Sequence, residues 1–403
     1  MKKFVARQPI FDAEQNVFAY ELLFRTGMED FFNFDDSDQA ASSVIVDSFL
    51  LFGLETLTGG QKAFINCTRE MLVKGYMALL PKEQVVVEIL ETVEPDEEII
   101  GACLRLKRAG YLLALDDFVY EDKYEPLLEL ADIIKVDFQA TEAAGRKSLV
   151  ERMAPRGVKL LAEKVESKQE FEQAVEMGYD YFQGYFFSRP QILSGQDVPG
   201  YKLNYLRVLQ AVNRLEVNLR EIENVIKQDV SLTYKLLRYL NSAFFGFRTQ
   251  IKSIKHALAL LGQEEIKKWT SLVAMASMGE DKPPELVINT IIRAVFCEAL
   301  APKLRMQGRE TDLFFLGMFS LMDAILERSM SSILAEMPIA EDVKVALLGK
   351  DNSFRQVLET VVAYEKGDWG KFSRLAGRLK LHEAVVPEIY LKSVEWTKQI
   401  FQN

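Results

Sequence analysis

Seven polar positions in the first half of this 403-residue sequence each follow a short apolar run. Glu21 follows Phe18-Ala19-Tyr20, Asn66 follows Phe64-Ile65, and Glu88 follows Val85-Val86-Val87. Asp116-Asp117 follows Leu112 to Leu115, Asp137 follows Ile133 to Val136, Glu163 follows Leu160-Leu161-Ala162, and Gln183 follows Tyr181-Phe182. Any one of these read alone is an exposed loop residue, but a series of them at strand ends would converge on one mouth. Carboxylates gathered in that way repel one another, and burial raises their pKa values unless cations compensate. A divalent metal resolves the conflict, and oxygen donors without thiolate or imidazole favour Mg²⁺ or Mn²⁺. Two such ions, bridged by Asp116 and Asp117, are the arrangement that activates a water and stabilises both oxygens in phosphodiester displacement. Lys135 lies two residues before Asp137, on the same strand face, where it could orient that water or neutralise phosphate charge.

The elements that must position these groups alternate β-rich runs with helical periodicity, the pattern of a parallel sheet with crossover helices. Strands are expected at Phe4 to Ala6, Val17 to Leu23, Ala63 to Asn66, Val85 to Ile89, Leu112 to Asp116, Ile133 to Asp137, Lys159 to Glu163 and Tyr181 to Gln183. Helices are clearest at Gln39 to Phe52, at Glu97 to Ala109 before Gly110, and at Lys168 to Met177 before Gly178, with glycine where helix C-caps commonly place it. Eight units in this length predict a TIM-like βα barrel with its site at the C-terminal strand ends. From Tyr201 onward the period becomes 3.6, with stripes at Leu206, Leu209, Val212 and Leu215 and at Leu232, Leu236, Leu237 and Leu240, so an all-α bundle follows the α/β half. The seam near Ser188 to Gly200 divides the chain into expected domains 1–195 and 200–403.

Charge follows the same division. Residues up to 200 carry 21 basic and 35 acidic side chains and the remainder 28 and 24, so the two halves are built differently. A 49% hydrophobic, 27% charged composition is that of a packed protein rather than a disordered one. Apolar stretches such as Leu313 to Met322 fall far short of the ~20 residues of a spanning helix, and Phe4-Val5-Ala6 is too short for the core of a signal peptide. The expected location is cytoplasmic, without a membrane. Cys67, Cys103 and Cys297 stand too far apart for a disulfide framework or zinc knuckle and are expected to be buried.

The ordered motifs of the first half, residues 1 to 190, resemble the EAL family of cyclic-di-GMP phosphodiesterases. Gln8-Pro9-Ile10 is similar to the opening Q-P-I, and Tyr20 to Arg25 stands where the family has E-A-L-x-R. Phe64-Ile65-Asn66, Glu88 to Glu91, Leu115 to Phe118, Lys135-Val136-Asp137, Ala162 to Glu166 and Gln183-Gly184-Tyr185 with Ser188-Arg189-Pro190 resemble the later motifs in order. The resemblance implies metal ligation by Glu21, Asn66, Glu88, Asp116 and Asp117, with Asp137 beside a second ion. It implies Glu163 as general base on the attacking water, assisted by Lys135 and Glu166. Gln8, Arg25 and Gln183 would hold the guanine and phosphate parts of the dinucleotide, Arg25 through a charge-assisted fork.

Departures from the family fall on the same rim. Where it has a G-T-G-x-S-S loop that supports the metal site and the dimer, this chain reads Val119 to Pro126 with bulky and charged residues that cannot make the same tight turns. Leu90, Lys164 and Leu22 replace a threonine, a glycine and an alanine. Changes behind retained metal ligands commonly cost ~10–100-fold in affinity or activity.

In the second half, Asp229 to Gly246 and Ile254 to Gly262 resemble the HDOD domain, a relative of HD phosphohydrolases. The counterpart of its histidine-aspartate pair is Met322-Asp323, and Arg293-Ala294 stands where an earlier histidine is expected, so HD hydrolysis is excluded. His256 and His382 are read as surface or packing residues. Arg248, Lys252, Lys255, Lys267 and Lys268 are weighed as a basic patch, but a solvated face is the better reading and nucleic acid is not expected. Asn241 to Gly246, with Phe244 and Phe245, is the candidate partner-binding loop. Two readings of the chain stay open: an Mg- or Mn-dependent hydrolysis of cyclic-di-GMP to pGpG, or an inactive sensor or scaffold that binds partners through the HDOD domain. Whether the barrels pair as a homodimer stays open with them.

Overall fold

Only residues 13–16 separate Lys3–Asp12 (β1) from Val17–Thr26 (β2). The Asp12 carboxylate accepts the Asn16 backbone N–H at 2.8 Å and closes the turn. A parallel pair would need a crossover of a dozen or more residues, so β1 runs antiparallel to β2. The computed structural model describes residues 3–26, 54–184, 200–214, 219–241 and 250–401. The expected helix at 39–52, Leu215, Tyr185, the Ser188-Arg189-Pro190 motif, the seam from 188 to 199, Arg248 and most of the 241–246 loop, with Phe244 and Phe245, lie outside them.

Six further strands complete a closed barrel in chain order: Lys62–Cys67 (β3), Val85–Ile89 (β4), Leu112–Leu115 (β5), Ile133–Asp137 (β6), Lys159–Glu163 (β7) and Tyr181–Phe182 (β8). Each of strands β2 to β7 is parallel to the next, and β1 closes the ring antiparallel to β8 as well. The expected parallel sheet with crossover helices is therefore corrected at β1, for want of chain length in the β1–β2 link. Helix ends are set locally. The Asp96 carboxylate accepts the N–H groups of Glu98 and Ile99 to start Glu97–Ala109, and Gly110 ends it at φ 94°. Ser167 and Glu170 form a capping box before Lys168–Met177, which Gly178 ends at φ 97°.

The two-residue period of the strands decides what points into the barrel. Ile10, Ala19, Phe64, Val86, Ala114, Ile133 and Leu161 are fully or nearly fully buried and form one internal apolar layer. Two positions along each strand, toward the parallel strands' C-terminal ends, stand Gln8, Glu21, Asn66, Glu88, Asp116, Lys135 and Glu163. Apolar packing thus forms a floor, and the layer above it is almost entirely polar.

Two compact units make up the chain: Met1–Phe187 with Ala363–Ser373, and Ser188–Val362 with Arg374–Asn403. In the first, Trp369 and Phe372 pack on Phe4 with ring centroids 6.0 and 6.1 Å away, and the buried Tyr364 hydroxyl donates to Val5 O at 3.1 Å. In the second, the described residues form helices and no strand. Leu206, Leu209, Val212, Leu232, Leu236 and Leu240 are buried there, as their spacing predicts. Gly262, at φ 80° and ψ 174°, breaks the long helical stretch Ile254–Met278 where the sequence ended its first part.

Candidate active site

Backbone register sets the polar layer. Gln8 faces Glu21 across β1 and β2, Asn66 faces Glu88 across β3 and β4, and Asp137 faces Glu163 across β6 and β7. Six of the seven polar positions fall within one residue of a C-terminal strand end, but Glu21 does not: β2 continues to Thr26, because its hairpin partner β1 prolongs it beyond the rim.

Lys135 occupies the centre, 1% exposed. Its ammonium donates to Asp116 Oδ1 at 2.9 Å, lies 2.8 Å from Glu163 Oε1 and 3.9 Å from Glu21 Oε1, and bonds the fully buried Glu88. One cation thus faces four carboxylates. Although burial alone would lower it, those four acids hold the Lys135 pKa well above its usual range. Burial pushes Glu88 well up, against the pull of Lys135. Glu163 is pushed up to about 8, again by burial first, with Lys135 opposing and Asp116 and Glu21 adding to the rise. Asp116 is also buried, yet Lys135 keeps its carboxyl below the ordinary value.

Amides connect the ring to the barrel's hairpin. The Gln183 Nε2 group donates to Glu21 Oε2 at 2.7 Å and to Gln8 Oε1 at 3.1 Å, and Asn66 Nδ2 donates to Glu21 Oε1 at 3.4 Å. Gln8 in turn donates to Lys366 O at 2.9 Å. Arg25 lies on β2 opposite Phe4, and its side chain is outside the described residues. Glu166 follows β7 in the turn whose N–H groups bond Glu170.

A second group stands beside the ring. Asp137 Oδ1 accepts the N–H groups of Gln139 at 2.7 Å and Ala140 at 3.0 Å, while its Oδ2 receives the Lys164 ammonium. Lys164 Nζ is also 3.7 Å from Asp117 Oδ2. Both Asp117, at φ 40°, and Lys164, at φ 54°, hold left-handed backbone that non-glycine residues rarely adopt. Lys164 stood out in the sequence only as an odd residue in its motif, and Lys366, which lies 358 residues from its partner, did not stand out at all.

These residues fit a divalent cation. Glu88 Oε2, Asn66 Oδ1, Glu163 Oε2 and Asp117 Oδ1 are buried without a hydrogen-bond partner, and all are oxygens. Asp116, Asp117 and Glu163 each offer a carboxylate oxygen within 4.8 Å of the others, and they form the one such acidic, histidine or cysteine group among the described residues. The altered rim loop lies next to them. Leu90, Val93, Leu115, Val119 and Tyr124 line a cavity of about 240 Å³ beside Asp116 and Asp117. Arg152 stacks on Tyr120 at 3.6 Å, and Phe118 meets Tyr124 edge-on at 5.8 Å.

In the helical unit, Asp323 is half-buried and its carboxyl is pushed up by burial, while Arg293 donates to Ser320 at 2.9 Å. His256 sits in the first turn after Ser253, and His382 immediately precedes the short turn Glu383–Val385 without a side-chain capping bond to it. The weighed basic patch is corrected at two positions: Lys267 is buried and 3.6 Å from Glu264, and Lys268 is paired with Glu265 at 2.7 Å and Glu298 at 2.6 Å. All three cysteines are buried, and no described helix is long and apolar enough to cross a membrane.

Two family models match the sequence, the EAL domain over residues 58–190 and the HDOD domain over residues 199–344. The uncharacterized protein YuxH of Bacillus subtilis is 38% identical over 98% of this chain and 98% of its own length. The Vibrio cholerae protein named cyclic di-GMP phosphodiesterase CdgJ is 34% identical over 98% of this chain and 93% of its own. Among solved structures, Klebsiella pneumoniae BlrP1 in a calcium and cyclic di-GMP complex is 26% identical, covers 47% of this chain and 56% of that one, and gives a TM-score of 0.39.

Proposed function

Because the chain belongs to the family that joins an EAL domain to an HDOD domain, we propose that its barrel binds cyclic-di-GMP with divalent metal and hydrolyses it to linear pGpG. The observation that carries this reading is the ring of Glu21, Glu88, Asp116 and Glu163 around Lys135, with buried oxygens left unpartnered. Asp116, Asp117 and Glu163 would hold Mg²⁺ or Mn²⁺, with Glu21, Asn66 and Glu88 completing the oxygen set. When bound, such an ion supplies positive charge to the phosphodiester oxygens and lowers the pKa of water.

The chain's own groups do the rest. Glu163, whose Oε1 lies 2.8 Å from the Lys135 ammonium, would act as general base on the attacking water once the cation and Lys135 hold its carboxyl ionised. Lys135 stays protonated and offers fixed positive charge where a phosphate would carry negative charge. Glu166 assists from the turn after β7. Gln8 and Gln183, already hydrogen-bonded to each other, present amides to the guanine and phosphate groups together with Arg25. Water adds to phosphorus as one P–O ester bond breaks, which opens the ring, and the proton released by the water ends on the departing sugar oxygen as its hydroxyl. The helical HDOD unit then relays occupancy to a protein partner, acting in the cytoplasm and without chemistry of its own.

A second reading, a metal-dependent sensor without turnover, is favoured by the loop from Val119 to Pro126, which holds Tyr120 against Arg152 in place of the family's glycine-rich turn. A chromatographic time course with cyclic-di-GMP and Mg²⁺ or Mn²⁺ separates the two. The parent should form pGpG and Glu163→Ala should not; ligand binding without product in the parent would overturn hydrolysis and leave the sensor.

A further inference from the structure

We infer that the Lys164 ammonium is a resident cation between Asp137 and Asp117, so that this barrel takes one divalent ion, at Asp116, Asp117 and Glu163, where the resemblance implies two. The inference rests on the metal-binding reading above and narrows it. Lys164 Nζ bonds Asp137 Oδ2 and lies 3.7 Å from Asp117 Oδ2, which are the carboxylates that would flank a second ion. Asp137 contributes no oxygen to the Asp116, Asp117 and Glu163 group. Its Oδ1 is committed to two backbone N–H groups and its Oδ2 to the ammonium.

The backbone that aims Lys164 is fixed on both sides. Phe138 N–H donates to Glu163 O at 3.1 Å, and Val165 N–H donates to Gln183 O at 3.0 Å. Between them Lys164 holds φ 54°, a conformation that glycine adopts freely and that costs a residue with a Cβ roughly 1 kcal/mol or more. The cost is incurred at a position from which a four-carbon stem reaches both acids. Glu163 Oε2 and Asp117 Oδ1 remain buried and unpartnered, and both residues belong to the group whose carboxylate oxygens lie within 4.8 Å of one another.

A unit charge within a few ångströms of a divalent ion weakens its binding by roughly ten- to a hundredfold even in high dielectric. Removing that charge should open the second position. The test is a Mn²⁺ titration of the chelator-stripped full chain by calorimetry and electron paramagnetic resonance, on the parent, Lys164→Gly, Lys164→Gln and Asp116→Asn. Expected are one tight Mn²⁺ for the parent, two for both Lys164 variants with the second gained at least about tenfold in affinity, and loss of the tight ion in Asp116→Asn. Lys164→Gly relaxes the backbone and Lys164→Gln keeps most of the stem, so folding of either one suffices. Two tight ions in the parent, or one in both variants, would overturn the inference and leave the metal reading standing. No Mn²⁺ in any protein would sink the metal reading itself, and this inference with it.

Discussion

Replacing Glu163 by glutamine should stabilise the metal-free protein, and by an amount that grows with pH. Glu163 is buried at 7% exposure with its pKa pushed up to about 8, first by burial and then by Asp116 and Glu21, with Lys135 opposing. In the unfolded chain it titrates near 4.5. Below that pH both states carry the proton, and the group is neutral to stability. Between the two values the unfolded chain releases its proton and the folded chain keeps it, so folding loses ground as pH rises. Above about 8 both are ionised and the loss is complete. The interval corresponds to roughly 5 kcal/mol at full size, and relaxation of the ring reduces what is realised to about 2–4 kcal/mol. Glutamine has no proton to lose, keeps the shape, and can still accept from Lys135. Parent and Glu163→Gln should therefore have equal stability near pH 4.5 in chelator and diverge by up to ~1.4 kcal/mol per pH unit toward pH 8. A two-domain chain need not unfold in one step, so the readout is urea denaturation followed by hydrogen exchange on β3 to β7 peptides. Saturating Mn²⁺ should reverse the order, since only the parent keeps the full oxygen set. Parallel pH profiles in chelator, or a variant less stable at pH 8, would refute the burial of a charged acid as the cause.

Two other substitutions probe the same layer. Lys135→Met removes the one cation inside four carboxylates and should cost about 3–5 kcal/mol in chelator, opposite in sign to Glu163→Gln, with partial recovery in Mn²⁺; a urea midpoint unchanged from the parent would show that the acids do not need it. Gly184→Ala should cost about 1–3 kcal/mol, because Gly184 sits at φ 150° and an added Cβ would overlap the backbone N and O of Val165; the Val165 amide, bonded to Gln183 O, should exchange faster, and unchanged protection there would contradict the packing argument.

What was legible in the sequence was what local chemistry decides. Helices 97–109 and 168–177 start and stop where Asp96, Gly110, Ser167, Glu170 and Gly178 dictate. The polar layer could be read because a strand repeats every two residues, so each acid inherits the inward direction of an apolar residue such as Phe64, Val86 or Leu161. The β1–β2 hairpin was not legible, since its turn places Gln15 at φ 64° with no glycine to announce it. That one turn reverses β1, extends β2 past Glu21, and puts Gln8 opposite Glu21. Contacts made by Lys164 and Lys366 were hidden for another reason: long-range packing, which no local spacing records, sets their partners.

The rim loop and the acids are held by different parts of the barrel, and this separates binding from turnover. Asp116, Glu163 and Lys135 hang from strands whose floor is the apolar layer of Ala114, Ile133 and Leu161. The loop from Val119 is anchored elsewhere, by Arg152 under Tyr120, by the Tyr120 hydroxyl donating to Asp122 at 3.2 Å, and by Phe118 on Tyr124. Its bulky side chains alter what surrounds Asp117 without dislodging the ring. The pH dependence of stability in chelator thus reports on the strands and comes out alike for an enzyme and for a sensor. The enzyme and sensor readings part only where the loop and Lys164 meet the reacting phosphate. Product formation is the observable that distinguishes them, and a Lys164 variant that gains an ion without gaining product would locate the deficit in the loop.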